Sequence, residues 1–218
     1  PGLTRRQVLE RFRCQEILAA ARQVIAAKGF AAATMDEIAE AAGIAKGTIY
    51  LYFKNKQDLF QAVVANALER LVEDLDRISQ RPEAAAARLA AMLRLLLETL
   101  EREEAFFRVY SSEFPVLHLY QAEAAAPVWE LDRRFTAILA TVIRQGIAAG
   151  EFHKGDSQQL AYILRGMLRA VALHKLVEGR PSSLLEVLPL LLRLLFSGLL
   201  REGRFLMEEE AWSNSDKA

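Results

Sequence analysis

The stretch "AGIAKGTIYLYFKNK" (residues 42–56) places three aromatics and three lysines within eleven residues, beside Gly43 and Gly47. Drawn on a helical wheel at about 100° per residue, Ile49 and Phe53 lie within about 40° of each other and form an apolar anchor. Lys46, Gly47 and Tyr50 fall on one flank; Thr48, Leu51 and Tyr52 fall on the other. Two outward tyrosines on opposite flanks suit a helix lying in a groove between two phosphate strands. A phenol donates to phosphate while its ring packs on sugar, and lysine adds charge without base information. Plain interhelix packing is the competing reading of Tyr50 and Tyr52.

Working outward, the punctuation on both sides defines short helices. Ile17, Ala21, Val24 and Lys28 recur at helical spacing from Arg13 onward, and Gly29 supplies a stop. Thr34 opens "TMDE", a capping box in which Thr34 caps the Glu37 amide and Glu37 reaches back. A second helix of about two turns follows and ends at Gly43. The third helix spans Lys46 to Phe53, and Asn55 with Asp58 opens a fourth. Two short helices around a glycine turn, braced by a preceding helix, make a helix-turn-helix unit. Gly47 lets the third helix approach a partner closely, Lys56 adds charge at a helix N-terminus, and Thr34 is placed to meet an anion.

The remaining chain is also helical. Ala and Leu dominate among 218 residues that are 52% hydrophobic, which is ample for a core and favours helix nearly throughout. A fourth helix runs to about Gln80, a fifth follows Pro82, Pro115 and Pro127 interrupt the next region, and longer helices end at Gly150, Gly179 and near Gly203. The expected fold is therefore all-α: an N-terminal three-helix helix-turn-helix domain over residues 1–55, with residues 1–12 as an N-terminal arm, and a C-terminal bundle of about six helices over residues 56–218, homodimeric. Two seven-spaced stripes carry the dimer expectation: one through Leu160, Leu164 and Met167, the other through Ile163, Gly166 and Ala170. One stripe serves the chain's own core and the other a partner. Leu184, Leu188, Leu191 and Leu195 add a third apolar face, expected with Ile163, Gly166 and Ala170 to form a four-helix homodimer interface. A buried central helix in a large monomeric bundle is the alternative.

Charge cancels overall, 28 Lys and Arg against 28 Asp and Glu, yet residues 1–60 hold nine of the former and six of the latter. The positive end contains the quoted stretch, a weak signal for a polyanionic partner. The single cysteine, Cys14, reads as a small apolar helix residue in a reducing, cytoplasmic setting. The Leu184–Leu200 run contains Glu186, Pro189 and Arg193 and falls short of the roughly 20 apolar residues a membrane helix needs. Catalytic signatures are missing. The residues three before His118, His153 and His174 are Pro115, Gly150 and Val171, so no Glu-x-x-His pair exists. Zinc-type spacing, phosphate loops and nucleophile elbows are absent, so no catalytic residue, metal site or cofactor is expected.

The segment "TMDEIAEAAGIAKGTIYLYFKNKQDLF" closely resembles the DNA-binding signature of the TetR family of transcriptional regulators, continuously from Ile17 to Phe60. The resemblance implies that Lys46 and Gly47 approach bases and that Thr48, Tyr50, Tyr52 and Lys56 touch backbone or base edges. It also implies that Thr34 meets a phosphate of a double-stranded operator. Ala45 departs from the family's usual serine cap. Arg5, Arg6, Arg11 and Arg13 either track phosphates or form a solvated helical extension. The resemblance further implies a C-terminal domain binding a small, largely apolar effector that releases a repressor from near-palindromic DNA. Control by a protein partner is the alternative. Phe107, Tyr110, Phe114, His118, Trp129 and Met167 are the candidate ligand-binding residues, drawn from the aromatic and thioether inventory of that domain.

Overall fold

In a computed structural model of the protein, residues 4–113, 126–178 and 183–197 are described, and every regular element among them is helical. The first four helices are α1 (Arg5–Lys28), α2 (Met35–Ala41), α3 (Lys46–Ile49) and α4 (Lys56–Ser79). Next come α5 (Ala85–Arg102), α6 (Glu104–Glu113), α7 (Ala126–Ala148) and α8 (Ser157–Glu178). A 3₁₀ turn at Leu184–Val187 leads into α9 (Leu188–Ser197).

Local chemistry sets the boundaries of the short helices. Thr34 Oγ1 accepts the Glu37 amide at 3.2 Å while the Glu37 carboxylate accepts the Thr34 amide at 3.1 Å, completing the anticipated capping box. Gly43 ends the α2 turn at φ +66°, a left-handed conformation that side chains with a Cβ rarely adopt. Asn55 caps α4 through the Asp58 amide at 2.8 Å. Ala45 gives α3 no side-chain cap, as its missing hydroxyl requires. The third helix is shorter than expected: only Lys46–Ile49 is α-helical, and tighter bonds from Leu51 to Thr48 and from Tyr52 to Ile49 carry the chain onward. The first helix is longer, because Thr4 caps it and residues 5–12 continue it instead of forming a separate arm.

Two hydrophobic cores result, joined by α4. In the first, Ile17, Ile25, Ile38, Ile49, Phe53 and Phe60 close the head, joined by Phe106 of α6 and Val128 of α7. In the second, Leu75, Leu93, Leu97, Leu139, Leu164 and Leu191 pack α4, α5, α7, α8 and α9 together. Cys14 is half-buried beside the head core, and burial pushes its thiol pKa up. Polar clips reinforce the body. Arg165 of α8 pairs with Asp132 and hydrogen-bonds Thr136, both on α7, and lies 4.4 Å from the Phe135 ring centroid. The N-terminus of α5 follows Ala84, which has no capping side chain. Glu151, from the α7–α8 connection, accepts the Ala85 and Ala86 amides at 3.0 and 2.9 Å instead.

The expected apolar face on the last helix needs correcting. Leu184, Leu188 and Leu191 lie inside the protomer's own core, with Leu191 only 3% exposed, and Leu195 packs at its edge. A helix that is apolar nearly all round does not announce which side its own chain covers. Leu190 and Phe196 face outward instead.

Two outcomes follow from this packing. Leu191→Glu unfolds the body rather than producing folded monomers, because a buried, unpaired carboxylate costs several kcal/mol; loss of the helical far-UV signal at ordinary temperature checks it. The Glu151 carboxyl titrates below its usual range, chiefly because of the Ala86 amide bond and then the Ala85 bond. Its stabilisation is therefore present at neutral pH and lost as pH falls through the folded-state value. Glu151→Gln should lower the melting temperature at neutral pH, and the deficit should shrink in acid.

Candidate nucleic-acid interface

A four-residue helix is far below the length at which helices persist alone, so α3 is held by its anchors. Ile49 is fully buried and Phe53 nearly so, both in the head core. That orientation turns the rest of α3 and its exit turn outward. Tyr50 is 52% exposed and Leu51 82% exposed, while Lys46 and Gly47 are exposed and Thr48 and Tyr52 half-buried. A Cβ built on Gly47 meets nothing within 4 Å, and its φ is not positive. Nothing within the fold therefore requires glycine there, although glycine costs a helix about 1 kcal/mol relative to alanine. The bare backbone suits close approach to an external surface.

The polar groups around α3 are arranged by neighbouring helices. Lys46 Nζ lies 2.6 Å from Asp36 of α2, with both groups exposed, and this bond raises the lysine pKa. Thr34 stands exposed at the start of α2. Its hydroxyl spends a lone pair on the cap, and its proton remains to be given to an anion. Glu37 is drawn below its ordinary pKa, first by Lys28 at 2.7 Å and then by Thr34.

Lys56 corrects the expectation made of it. Its ammonium donates to the carbonyls of Phe30, Ala31 and Ala33 at 2.7, 3.0 and 2.9 Å, and it lies 4.6 Å from the Phe30 ring centroid. An ammonium has three protons, and all three point into the α1–α2 connection. Lys56 braces the head rather than offering a hydrogen bond outward.

One feature had no clear signal in the sequence. Leu51 is the most exposed apolar side chain of the α3 region and stands between the two tyrosines; its place on the outward flank was visible, but aliphatic side chains are usually assigned to cores. The first turns of α1, whose arginines the sequence leaves open to either reading, come beside the outward face of α3 and its exit turn. Arg5, Arg6, Leu9, Phe12 and Arg13 line a cleft of about 510 Å³ together with Tyr52.

The candidate effector residues are more dispersed. Phe107 is half-buried on α6; Trp129 packs against the head core and Met167 against the body core. Phe114 and His118 lie outside the described residues, as does the Tyr110 side chain. Among the described residues no group of three or more His, Cys, Asp or Glu is placed to hold a metal ion, and no helix is long and apolar enough to cross a membrane.

Comparison with known proteins matches both parts of this architecture. Residues 17–63 match the family described as bacterial regulatory proteins, tetR family, and residues 80–173 match the tetracyclin repressor-like C-terminal domain. The fatty acid metabolism regulator protein of Bacillus subtilis (strain 168) is 26% identical over 185 residues, covering 84% of this chain and 94% of that protein. The transcriptional repressor KstR2 of Rhodococcus jostii (strain RHA1) is 27% identical, covering 67% of this chain and 71% of its own. Among solved structures, FadR from Bacillus subtilis in complex with stearoyl-CoA superposes with a TM-score of 0.73 at 25% identity, covering 85% of this chain and 99% of that one. The fatty acid degradation regulator FadR from Bacillus halodurans gives the same TM-score, identity and coverage. The helix-turn-helix head, the helical body and these matches agree: this chain belongs to the TetR family of transcriptional regulators, and it is not an enzyme.

Proposed function

We propose that the protein is a cytoplasmic, dimeric repressor, with a reading head over residues 1–55 and an effector and dimerisation body over residues 56–218. It leaves a near-palindromic operator when a long-chain acyl-CoA thioester binds the body. The observation that carries the DNA-binding reading is the outward face of α3 and its exit turn, with Lys46, Gly47, Tyr50 and Leu51 exposed and Thr48 and Tyr52 half-buried, pinned by Ile49 and Phe53. Tyr50, Tyr52 and Thr34 position the protein on phosphates. Gly47 and Lys46 approach base edges, and Leu51 offers an apolar contact to a thymine methyl. Two copies place α3 in successive major grooves about one turn apart.

Pairing uses the outward face of α8. Ile163 is 59% exposed and Val177 is 86% exposed, and Gly166 and Ala170 between them are exposed as well. The small residues allow two helices to approach, and Leu190 of α9 is a further exposed apolar side chain. Exposed apolar side chains along one helix face mark an interface.

The effector identity rests on the stearoyl-CoA complex of the B. subtilis FadR structure. Its route to the head is short. Phe106 of α6 sits 5.6 Å from Phe60 of α4 inside the head core, and Arg22 of α1 pairs with Glu103 at the α5–α6 junction. A ligand that displaces α6 must move both contacts. Release requires that it bind the arrangement with misaligned heads more tightly than the DNA-competent one.

On DNA from upstream of the protein's own gene, stearoyl-CoA should abolish the wild-type fluorescence-anisotropy signal; a signal that persists at saturating ligand overturns the effector reading. Tyr50→Ala should weaken operator affinity about tenfold or more with an unchanged melting curve. Lys56→Met should behave differently, lowering head stability by about 1–3 kcal/mol because three carbonyls lose their donor. In sedimentation at micromolar concentration, Ile163→Glu should remain folded yet run as a monomer; a surviving dimer places the interface elsewhere.

A further inference from the structure

Between α1 and the middle of α4 lies a cleft of about 310 Å³ that the DNA-binding surface does not use. Its floor is apolar, formed by Leu18 and Val63, and its rim carries Gln15, Arg22, Asn66 and Arg70. Both cations of the rim are guanidiniums. Glu103 pairs with Arg22 and also takes Arg102 at 3.3 Å, so one carboxylate serves two guanidiniums. Among the described residues Arg70 donates to the neutral Gln15 amide oxygen, at 3.2 Å, and to no carboxylate. Glu16 faces Arg13, Glu104 faces Arg108 and Lys175, and Asp74, one turn beyond Arg70 on α4, faces Arg77, while Glu69 and Glu73 flank Arg70 on the exposed side of that helix. Arg22 has its pKa lowered by burial and then by repulsion from Arg70 and Arg102, which places both guanidiniums within electrostatic reach of it. Asn66 and Arg70 stand ten and fourteen residues beyond the start of α4, about 15–21 Å along its axis from the reading surface. A DNA phosphate held by α3 therefore does not reach them.

We propose that this cleft binds a phosphate ester, held by Arg70, the Asn66 amide and Arg22, and that the bound phosphate competes with Glu103 for Arg22. The carrier of the phosphate rests on the effector reading above: it is the nucleotide end of the acyl-CoA. The Asn66 amide and the Arg70 guanidinium already converge on one acceptor, Gln15 Oε1, at 3.4 and 3.2 Å, and a phosphate oxygen in its place would accept charge-assisted bonds. Because Arg22 belongs to the head and Glu103 to the body, the competition loosens the ion pair that joins them. The anionic end of the ligand then acts on the head directly, while its acyl end acts through α6.

Three probes separate the site from the reading beneath it: stearoyl-CoA, stearoyl-pantetheine, which lacks every phosphate, and inorganic pyrophosphate. By calorimetry the wild type should bind stearoyl-CoA about tenfold more tightly than stearoyl-pantetheine. Arg70→Gln should erase that difference while leaving operator affinity without ligand, and the melting curve, unchanged. An Arg70→Gln protein that keeps the full preference overturns the proposal. If the wild type binds neither acyl probe, the acyl-CoA reading fails and pyrophosphate decides alone. A saturable wild-type isotherm lost in Arg70→Gln upholds the cleft as a free-phosphate site, and a blank wild-type isotherm overturns it. Glu103→Gln removes the competitor and should strengthen pyrophosphate binding; weaker binding overturns the competition.

Discussion

One helix has to satisfy two cores. The first turns of α4 bury Leu59, Phe60, Val63 and Val64 in the head, and its later turns bury Val72, Leu75 and Ile78 in the body. At about 1.5 Å per residue its 24 residues span about 36 Å without a break. A rotation or tilt that suits one core is therefore felt in the other. Phe106 strengthens the constraint, since it is a body residue completing the head's interior against Phe60. Close-packed interiors have few intermediate arrangements, so a body that repacks has to carry the head with it.

Much of this was legible in the sequence because the decisive interactions are local. The Thr34–Glu37 box, the Asn55 cap and the Gly43 stop each involve residues within a few positions of one another. The 3.6-residue period correctly put Ile49 and Phe53 inside and Tyr50 outside. The failures are non-local. Lys56 finds three carbonyls that precede it by 23 to 26 residues, and no spacing rule points to them. The α5 cap comes from Glu151, 65 and 66 residues beyond the amides it accepts. Leu184, Leu188 and Leu191 were assigned to a partner because a uniformly apolar segment carries no contrast between its faces; the structure puts them in the chain's own core.

The proposed reading surface is less cationic than its three lysines imply; of these only Lys54 is exposed and makes no side-chain ion pair or hydrogen bond among the described residues. Lys46 is matched by Asp36, and Lys56 is turned inward onto carbonyls. What α3 offers outward is mostly hydroxyls, a bare glycine backbone and an aliphatic side chain. Binding built this way depends more on fit than on counterion release, which makes it sensitive to a small error in head placement. The arginines of α1 restore charge beside Tyr52 from a helix that is itself part of the head.

That sensitivity is what a switch needs. The Lys46–Ile49 helix has no side-chain N-cap and too few turns to stand alone, so its position is dictated by what Ile49 and Phe53 pack against. Those residues share a core with α1, α4 and, through Phe106, α6. Any shift of α6 or of the Arg22–Glu103 pair thus reaches α3 through side-chain contacts alone, with no refolding of α3 itself. A longer, well-capped recognition helix would hold its own shape but would still ride on the same anchors. The short one adds no rigidity to oppose them, so the energy needed to misplace it is set by the core and by the ion pair at the head–body junction.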